Sequence, residues 1–260
     1  MSRDDTHVAG YGLLARLGKR VLRPGGAELT ETLLARAELT GSDVVELAIG
    51  RARTTREILD RHPHSYVGID NDPDAIAAAR RALPRQGSFL VTDAASTGLP
   101  DACADVVIGE AMLTMQGDHA KHAIVAEAAR MLRPQGRYAI HELALTPDTI
   151  DDATKTTIRK ALARSLRVNA RPLTIVEWQA LLARHGLVID HVDAAPMALL
   201  QPRRVLADEG VAGTARFARN LLTHPDARRR VLAMRRTFRT HHTNLTAVAI
   251  VAHKAEPKTS

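Results

Sequence analysis

The stretch from Asp43 to Asp70, DVVELAIGRARTTREILDRHPHSYVGID, constrains the fold of this chain more than any other. An apolar run from Val44 to Ile49, broken only by Glu46, predicts a buried strand. The small-residue turn Ala48-Ile49-Gly50-Arg51-Ala52 follows, then a helix through Leu59. A second apolar run, Tyr66 to Ile69, closes on the acid Asp70, 20 residues beyond Gly50. Strand, turn, helix, strand and terminal acid form a nucleoside-binding βαβ layout. The turn lets backbone approach a ligand closely, and the acid falls where a ribose hydroxyl would find an acceptor.

The turn discriminates between nucleosides. A dinucleotide fingerprint needs a third glycine so that helix and strand pack closely, and Arg53 occupies that place. Nicotinamide and flavin cofactors are therefore disfavoured. Ala48 and Ala52 stand where glycine would be easiest; alanine is small enough for close approach but costs about 1–2 kcal/mol at positive φ.

Beyond Asp70, Asn71-Asp72-Pro73 predicts a helix start, an acid at the N-cap with proline in the first turn. A helix over Asp74–Leu83, a strand at Phe89–Val91 and a strand over Ala104–Gly109 follow. The pattern then gives a helix over Asp118–Leu132 and a strand over Gly136–Leu143. Helices over Thr149–Val168 and Thr174–His185, a strand over Leu187–Val192 and a last strand over Ala247–His253 complete it. This alternation predicts an α/β fold with a doubly wound, mainly parallel, seven-stranded sheet.

Residues 1–40 read as an N-terminal helical lid, polar through Thr6 and then helical over Tyr11–Leu22 and Leu29–Leu39, broken at Pro24-Gly25-Gly26. Residues 41–260 read as the main domain, with a helical, arginine-rich cap over 198–242 inserted before the last strand.

A chain of 260 residues with 45% hydrophobic residues can bury a full core, and 3% aromatics make that core aliphatic. The same scarcity argues against successive base stacking, so a nucleic-acid partner is disfavoured despite a net charge of +7. The single cysteine, Cys103, excludes an intrachain disulfide and offers no zinc spacing, so no metal site is expected. Neither a signal-peptide pattern nor an apolar run long enough to span a membrane stands out, and the expected location is the cytoplasm.

Glu46-x-Ala48-x-Gly50-x-Ala52 resembles the acidic-x-Gly-x-Gly-x-Gly signature of class I S-adenosylmethionine-dependent methyltransferases. The match extends to Asp93-Ala94 after the third strand, to ADVVIGEAM in the fourth, and to AARMLRPQGRYAI from Ala128 to Ile140. It covers roughly residues 43–192 and is nearest to the small-molecule group that includes ubiquinone and menaquinone methylases. The resemblance implies S-adenosylmethionine as cofactor, with Glu46, Ala48 and Gly50 at the loop. It also implies Asp70 and Asn71 at the ribose, Asp93 and Ala94 at the adenine, and Glu110 at the methionine end. Gly-Glu-Ala-Met after strand four departs from the Asn/Asp-Pro-Pro-aromatic tetrapeptide of enzymes that methylate exocyclic base or amide nitrogens.

Methyl transfer is an in-line displacement in which the protein supplies alignment and a dry site; a base is needed only for an acceptor that must lose a proton. Candidates are His141, with Glu142 beside it at the end of strand five, and His119 at the start of the following helix of strand four. Met112, Met115 and Met197 are candidates for an apolar acceptor pocket. The leading expectation is a small-molecule acceptor, anionic or polar-headed, selected by the cap arginines. An RNA acceptor and a non-catalytic binding protein with an eroded loop are the alternatives.

Overall fold

The computed structural model describes residues 9–19 and 22–256. The polar start through Thr6, and Arg20 and Val21 of the first predicted helix, lie outside the described residues. Helices α1 (Gly10–Arg16) and α2 (Ala27–Arg36) precede the βαβ unit. That unit is β1 (Asp43–Leu47), α3 (Arg53–Leu59) and β2 (Ser65–Asp70). Next come α4 (Pro73–Ala82), β3 (Ser88–Val91), β4 (Ala104–Glu110), a single 3₁₀ turn over Leu113–Met115, α5 (Asp118–Met131) and β5 (Leu132–Leu145). The remainder is α6 (Asp152–Leu166), β6 (Leu173–Thr174), α7 (Ile175–Ala183), β7 (Leu187–Pro196), α8 (Pro202–Thr223), α9 (Pro225–Thr240) and β8 (Leu245–Lys254).

The strands run in the order β3-β2-β1-β4-β5-β8-β7. Pairs among β1 to β5 are parallel, and β8 inserts antiparallel between β5 and β7. The predicted α/β class and mainly parallel seven-strand path are therefore present. An eighth strand, the two-residue β6, pairs with β5 and escapes any periodicity argument by its shortness. Chain order reverses between β1 and β4, and ligands of open α/β sheets bind at such a switch point, outside the carboxyl ends of the strands.

Alternation divides the side chains between two cores. Val45, Leu47, Val107, Tyr138, Ile140 and Val248 face one layer, with α5 and α7. Val44, Val106, Ile108, Ala139 and Ala249 face the other, with α2, α3 and α4. A third cluster joins α1, α6, α8 and α9 through Leu13, Leu162, Phe217 and Met234. Local signals set several boundaries. Asp72 caps α4 by accepting the Asp74 N–H, with Pro73 in the first turn. Thr174 and Glu177 form a reciprocal capping box on α7. The first helix ends earlier than predicted, because Gly18 adopts φ +95° and reverses the chain after Leu17. Inside α8, Gly210 leaves helical geometry at φ 68°, so the predicted continuous helical stretch is kinked there.

Candidate functional site

Five strands end on one rim, and most residues singled out in the sequence lie in the carboxyl-side halves of β1, β2, β4 and β5 or in the loops after β1, β2 and β3. In the β1 loop, Ala48, Gly50 and Ala52 all take left-handed conformations, with φ of 57°, 51° and 53°. Three such residues in five curl the chain back on itself, at a cost of about 1–2 kcal/mol for each alanine. A Cβ built on Gly50 would meet only the Ala48 carbonyl, at 4.0 Å, so the space above the loop is open. Asp70 at the end of β2 fastens the loop. Its Oδ2 accepts the Gly50 N–H at 2.8 Å and its Oδ1 accepts the Asp72 N–H at 2.9 Å. Each carboxylate oxygen has further lone-pair capacity for ligand hydroxyls. Asn71 and Asp93 are exposed beside it, Ala94 is half-buried, and Asp93 Oδ1 accepts the Ala95 N–H at 2.8 Å. Arg51 is exposed and Arg53 pairs with Glu57 at 2.9 Å, so neither charge turns into the crevice.

Glu46 and Glu110 point from neighbouring strands β1 and β4 to the same sheet face; Glu46 is buried, and the Glu110 side chain keeps an exposure of 6%. Their surroundings push them in opposite directions. Burial raises the Glu46 carboxyl to about 7, against the hydrogen bonds from Tyr66 and Thr55. Burial acts on Glu110 too, but the Arg23 guanidinium, His141 and Thr30 outweigh it and hold the group at about 2. Arg23 Nε lies 3.1 Å from Glu110 Oε2, and His141 Nδ1 lies 2.7 Å from Oε1. The hydroxyls of Thr30 and Thr54 also donate to this carboxylate. Glu110 is thus enclosed by protein donors from α2, α3, β5 and the segment before α2, rather than presented at the methionine end.

His141 is fully buried, and its Nε2 donates to the Pro24 carbonyl at 2.6 Å. Both ring nitrogens are therefore engaged by protein partners, Nδ1 by Glu110 and Thr30 and Nε2 by Pro24. His141, read in the sequence as the general base, is thus buried and held by these partners. Glu142 points to the opposite face, as strand alternation requires. Its oxygens accept the N–H groups of Met112, Leu113 and Thr114 at 2.9, 2.7 and 3.0 Å, and the Thr114 hydroxyl at 2.6 Å. The Glu142 carboxylate therefore folds the turn after β4 and does not reach the crevice, which corrects its assignment as an acid–base partner. His119 is exposed in the first turn of α5. The methionines separate as well: Met112 belongs to the core on the α5 side and Met197 to the helical cluster.

Arg23, Pro24, Thr30 and Thr54 were not singled out in the sequence. Their signal was faint: an arginine set between Leu22 and the helix-breaking Pro24-Gly25-Gly26. The arginines of α9 are the reverse case. Ala227, Val231, Met234 and Phe238 form its buried stripe, leaving Arg228, Arg229, Arg235, Arg236 and Arg239 exposed to solvent. Among the described residues no group of three or more histidine, cysteine or acidic side chains is placed to hold a metal ion, and no helix is long and apolar enough to cross a membrane.

Comparison with known proteins adds to this geometry. The family whose model matches is described as a methyltransferase domain, and the match spans residues 44–136. An uncharacterized protein of Haemophilus influenzae is 30% identical over 260 residues, covering 98% of this chain and 100% of that one. A trans-aconitate 2-methyltransferase of Methylobacterium nodulans is 28% identical over 169 residues, 61% of this chain and 62% of that one. Among solved structures, phosphoethanolamine N-methyltransferase 2 of Haemonchus contortus, in complex with S-adenosyl-L-methionine, superposes with a TM-score of 0.70. It is 16% identical and covers 97% of this chain and 59% of that one, a likeness of fold.

Proposed function

Because this chain belongs to the class I S-adenosylmethionine-dependent methyltransferase family, we propose that it binds S-adenosylmethionine over the β1 loop and methylates a small carboxylate-bearing acceptor. The observation that carries the cofactor reading is Asp70. It holds the left-handed Ala48-Gly50-Ala52 loop through the Gly50 N–H and keeps acceptor capacity for ribose hydroxyls. In this reading Asn71 and the Asp93-Ala94 turn flank the nucleoside, and the open space over Gly50 admits it. Glu46 and Glu110 support the floor beneath, Glu46 through Tyr66 and Thr55, Glu110 through Thr54 at the start of α3.

The cofactor supplies a methyl group already activated on a sulfonium, and the chain's own residues align and desolvate the partners. A carboxylate oxygen is anionic at neutral pH and needs no base. That requirement suits a crevice in which His141 has both nitrogens engaged and Glu142 faces away. The relatives named trans-aconitate 2-methyltransferases point to the same acceptor class. Helices α8 and α9, inserted between β7 and β8, are read as the cap on the acceptor side, with their exposed arginines serving the surface and not the acceptor.

Calorimetric titration with S-adenosylhomocysteine tests the cofactor reading. A charge-assisted hydrogen bond contributes about 1.5–3 kcal/mol, so Asp70→Ala should weaken binding at least about tenfold. Equal affinity in wild type and variant would remove the assignment. Incubation with S-adenosylmethionine and trans-aconitate, followed by release of methanol in base, reports ester formation.

A further inference from the structure

Beside the carboxyl end of β4 and helix α3, the Arg23 guanidinium is almost fully enclosed, with a side-chain exposure of 7%. Two of its nitrogens are committed: Nε to Glu110 at 3.1 Å and Nη1 to Glu57 at 3.2 Å. The third, Nη2, is buried and has no hydrogen-bond partner. Buried donors are nearly always satisfied, and an orphaned one is costly unless something is meant to meet it. We propose that Arg23 Nη2 is the receptor for a ligand carboxylate at the β4–β5 end of the crevice. The proposal rests on the reading of the site as a methyltransferase crevice and assigns the residue that recognises the anion there.

Three features support an anion at this point. First, Glu57 is shared: the Arg23 and Arg53 guanidinium groups both pair with it, at 3.2 and 2.9 Å. Second, the donor is held in place. Glu110 and Glu57 clamp the guanidinium plane, and the next residue is tied down by the Pro24 carbonyl on His141 Nε2. The same segment is anchored to α8 at both ends, where Asp208 lies 3.7 Å from Lys19 Nζ and accepts the Ala27 N–H at 3.3 Å. Third, a planar guanidinium with a vacant terminal nitrogen suits a carboxylate, since its donors lie in one rigid plane. Position narrows the source. Asp70 ends β2, two strands from β4 across β1, so the nucleoside and Arg23 sit at opposite sides of the switch point. The carboxylate is either that of the acceptor or that of the cofactor's amino-acid end.

The test uses the full chain, the variants Arg23→Gln and Arg23→Lys, and three probes in calorimetry. The probes are S-adenosylhomocysteine, its decarboxylated counterpart, and citrate in the presence of S-adenosylhomocysteine. Arg23→Lys keeps the charge beside Glu110 but removes the planar fork, so it remains informative if the glutamine variant does not fold. The expected result is at least a tenfold loss for one carboxylate probe, with the decarboxylated nucleoside bound as in wild type. Loss confined to citrate assigns the acceptor; loss confined to S-adenosylhomocysteine assigns the cofactor. Unchanged affinities for both carboxylate probes, or equal losses for the decarboxylated nucleoside, overturn the proposal. A wild-type protein that ignores citrate overturns it too if its S-adenosylhomocysteine affinity is insensitive to Arg23. Failure of the wild type to bind either nucleoside would instead defeat the cofactor reading, and the citrate measurement would still read Arg23.

Discussion

Glu110 and His141 are register partners across β4 and β5, and the carboxylate of one lies 2.7 Å from Nδ1 of the other. Parallel pairing places both side chains on one sheet face at the rim, so the contact follows from the backbone register. It has two consequences. His141 is buried with both ring nitrogens engaged, bridging β4 to the Pro24 carbonyl. Glu110 gains a second partner besides Arg23, and these contacts hold its carboxyl low.

That ionisation makes the protein sensitive to acid. The Glu110 carboxyl is held at about 2, below its ordinary value of 4.5. A carboxyl depressed on folding contributes stability that is complete above its unfolded value and is lost as pH falls through the folded one. Wild-type stability should therefore drop between about pH 4.5 and about pH 2, and Glu110→Gln should lack this part of the decline. Above that window the variant should be weaker by about 3–5 kcal/mol, because Arg23 loses its counter-charge. Urea midpoints measured across the window check both statements.

Glu46 predicts the opposite slope. Burial lifts its carboxyl from 4.5 to about 7. The folded state then holds a proton that the unfolded state has released. This contribution is full below pH 4.5 and is lost as pH rises to about 7. The difference amounts to about 3 kcal/mol. Relative to Glu46→Gln, the wild type should lose that much between those limits and run parallel above them. A wild type that tracks the variant throughout would show that folding leaves the Glu46 carboxyl at its ordinary value.

The left-handed alanines give a third prediction. Ala48 is exposed at φ 57° and Ala52 is buried at φ 53°. Ala48→Gly relieves about 1–2 kcal/mol of strain and costs about 0.4–1 kcal/mol in unfolded-chain entropy. It should be neutral to stabilising by about 1 kcal/mol. Ala52→Gly gives up packed methyl surface as well and should gain less. Both should keep affinity for S-adenosylhomocysteine, since the loop path is unchanged. Guanidinium denaturation and calorimetry on the two variants measure these outcomes.

Much of this architecture was legible along the chain, because the signals that encode it are local. Apolar runs marked the strands, Asp72-Pro73 marked the start of α4, and the interval from Gly50 to Asp70 marked a loop and an acid brought together, which now share a 2.8 Å hydrogen bond. Alternation also stated that His141 and Glu142 must face opposite ways. It could not state which of them met the crevice or what waited there.

Those choices belong to contacts between distant residues. The Pro24 carbonyl and His141 are 117 positions apart, and Thr30 and Glu110 are 80 apart. Nothing in the spacing of either pair along the chain foretells the contact. Two glutamates on one sheet face, Glu46 and Glu110, end with carboxyls at about 7 and about 2. The difference is that one meets neutral hydroxyls and the other meets Arg23 and His141. The sequence by itself determined which elements form and which residues stand at the strand ends, since period and turn chemistry are local properties of the backbone. The tertiary structure alone decided the charge, pairing and accessibility of those residues. Electrostatic energy depends on distance through space and on burial, and the order of residues along the chain specifies neither.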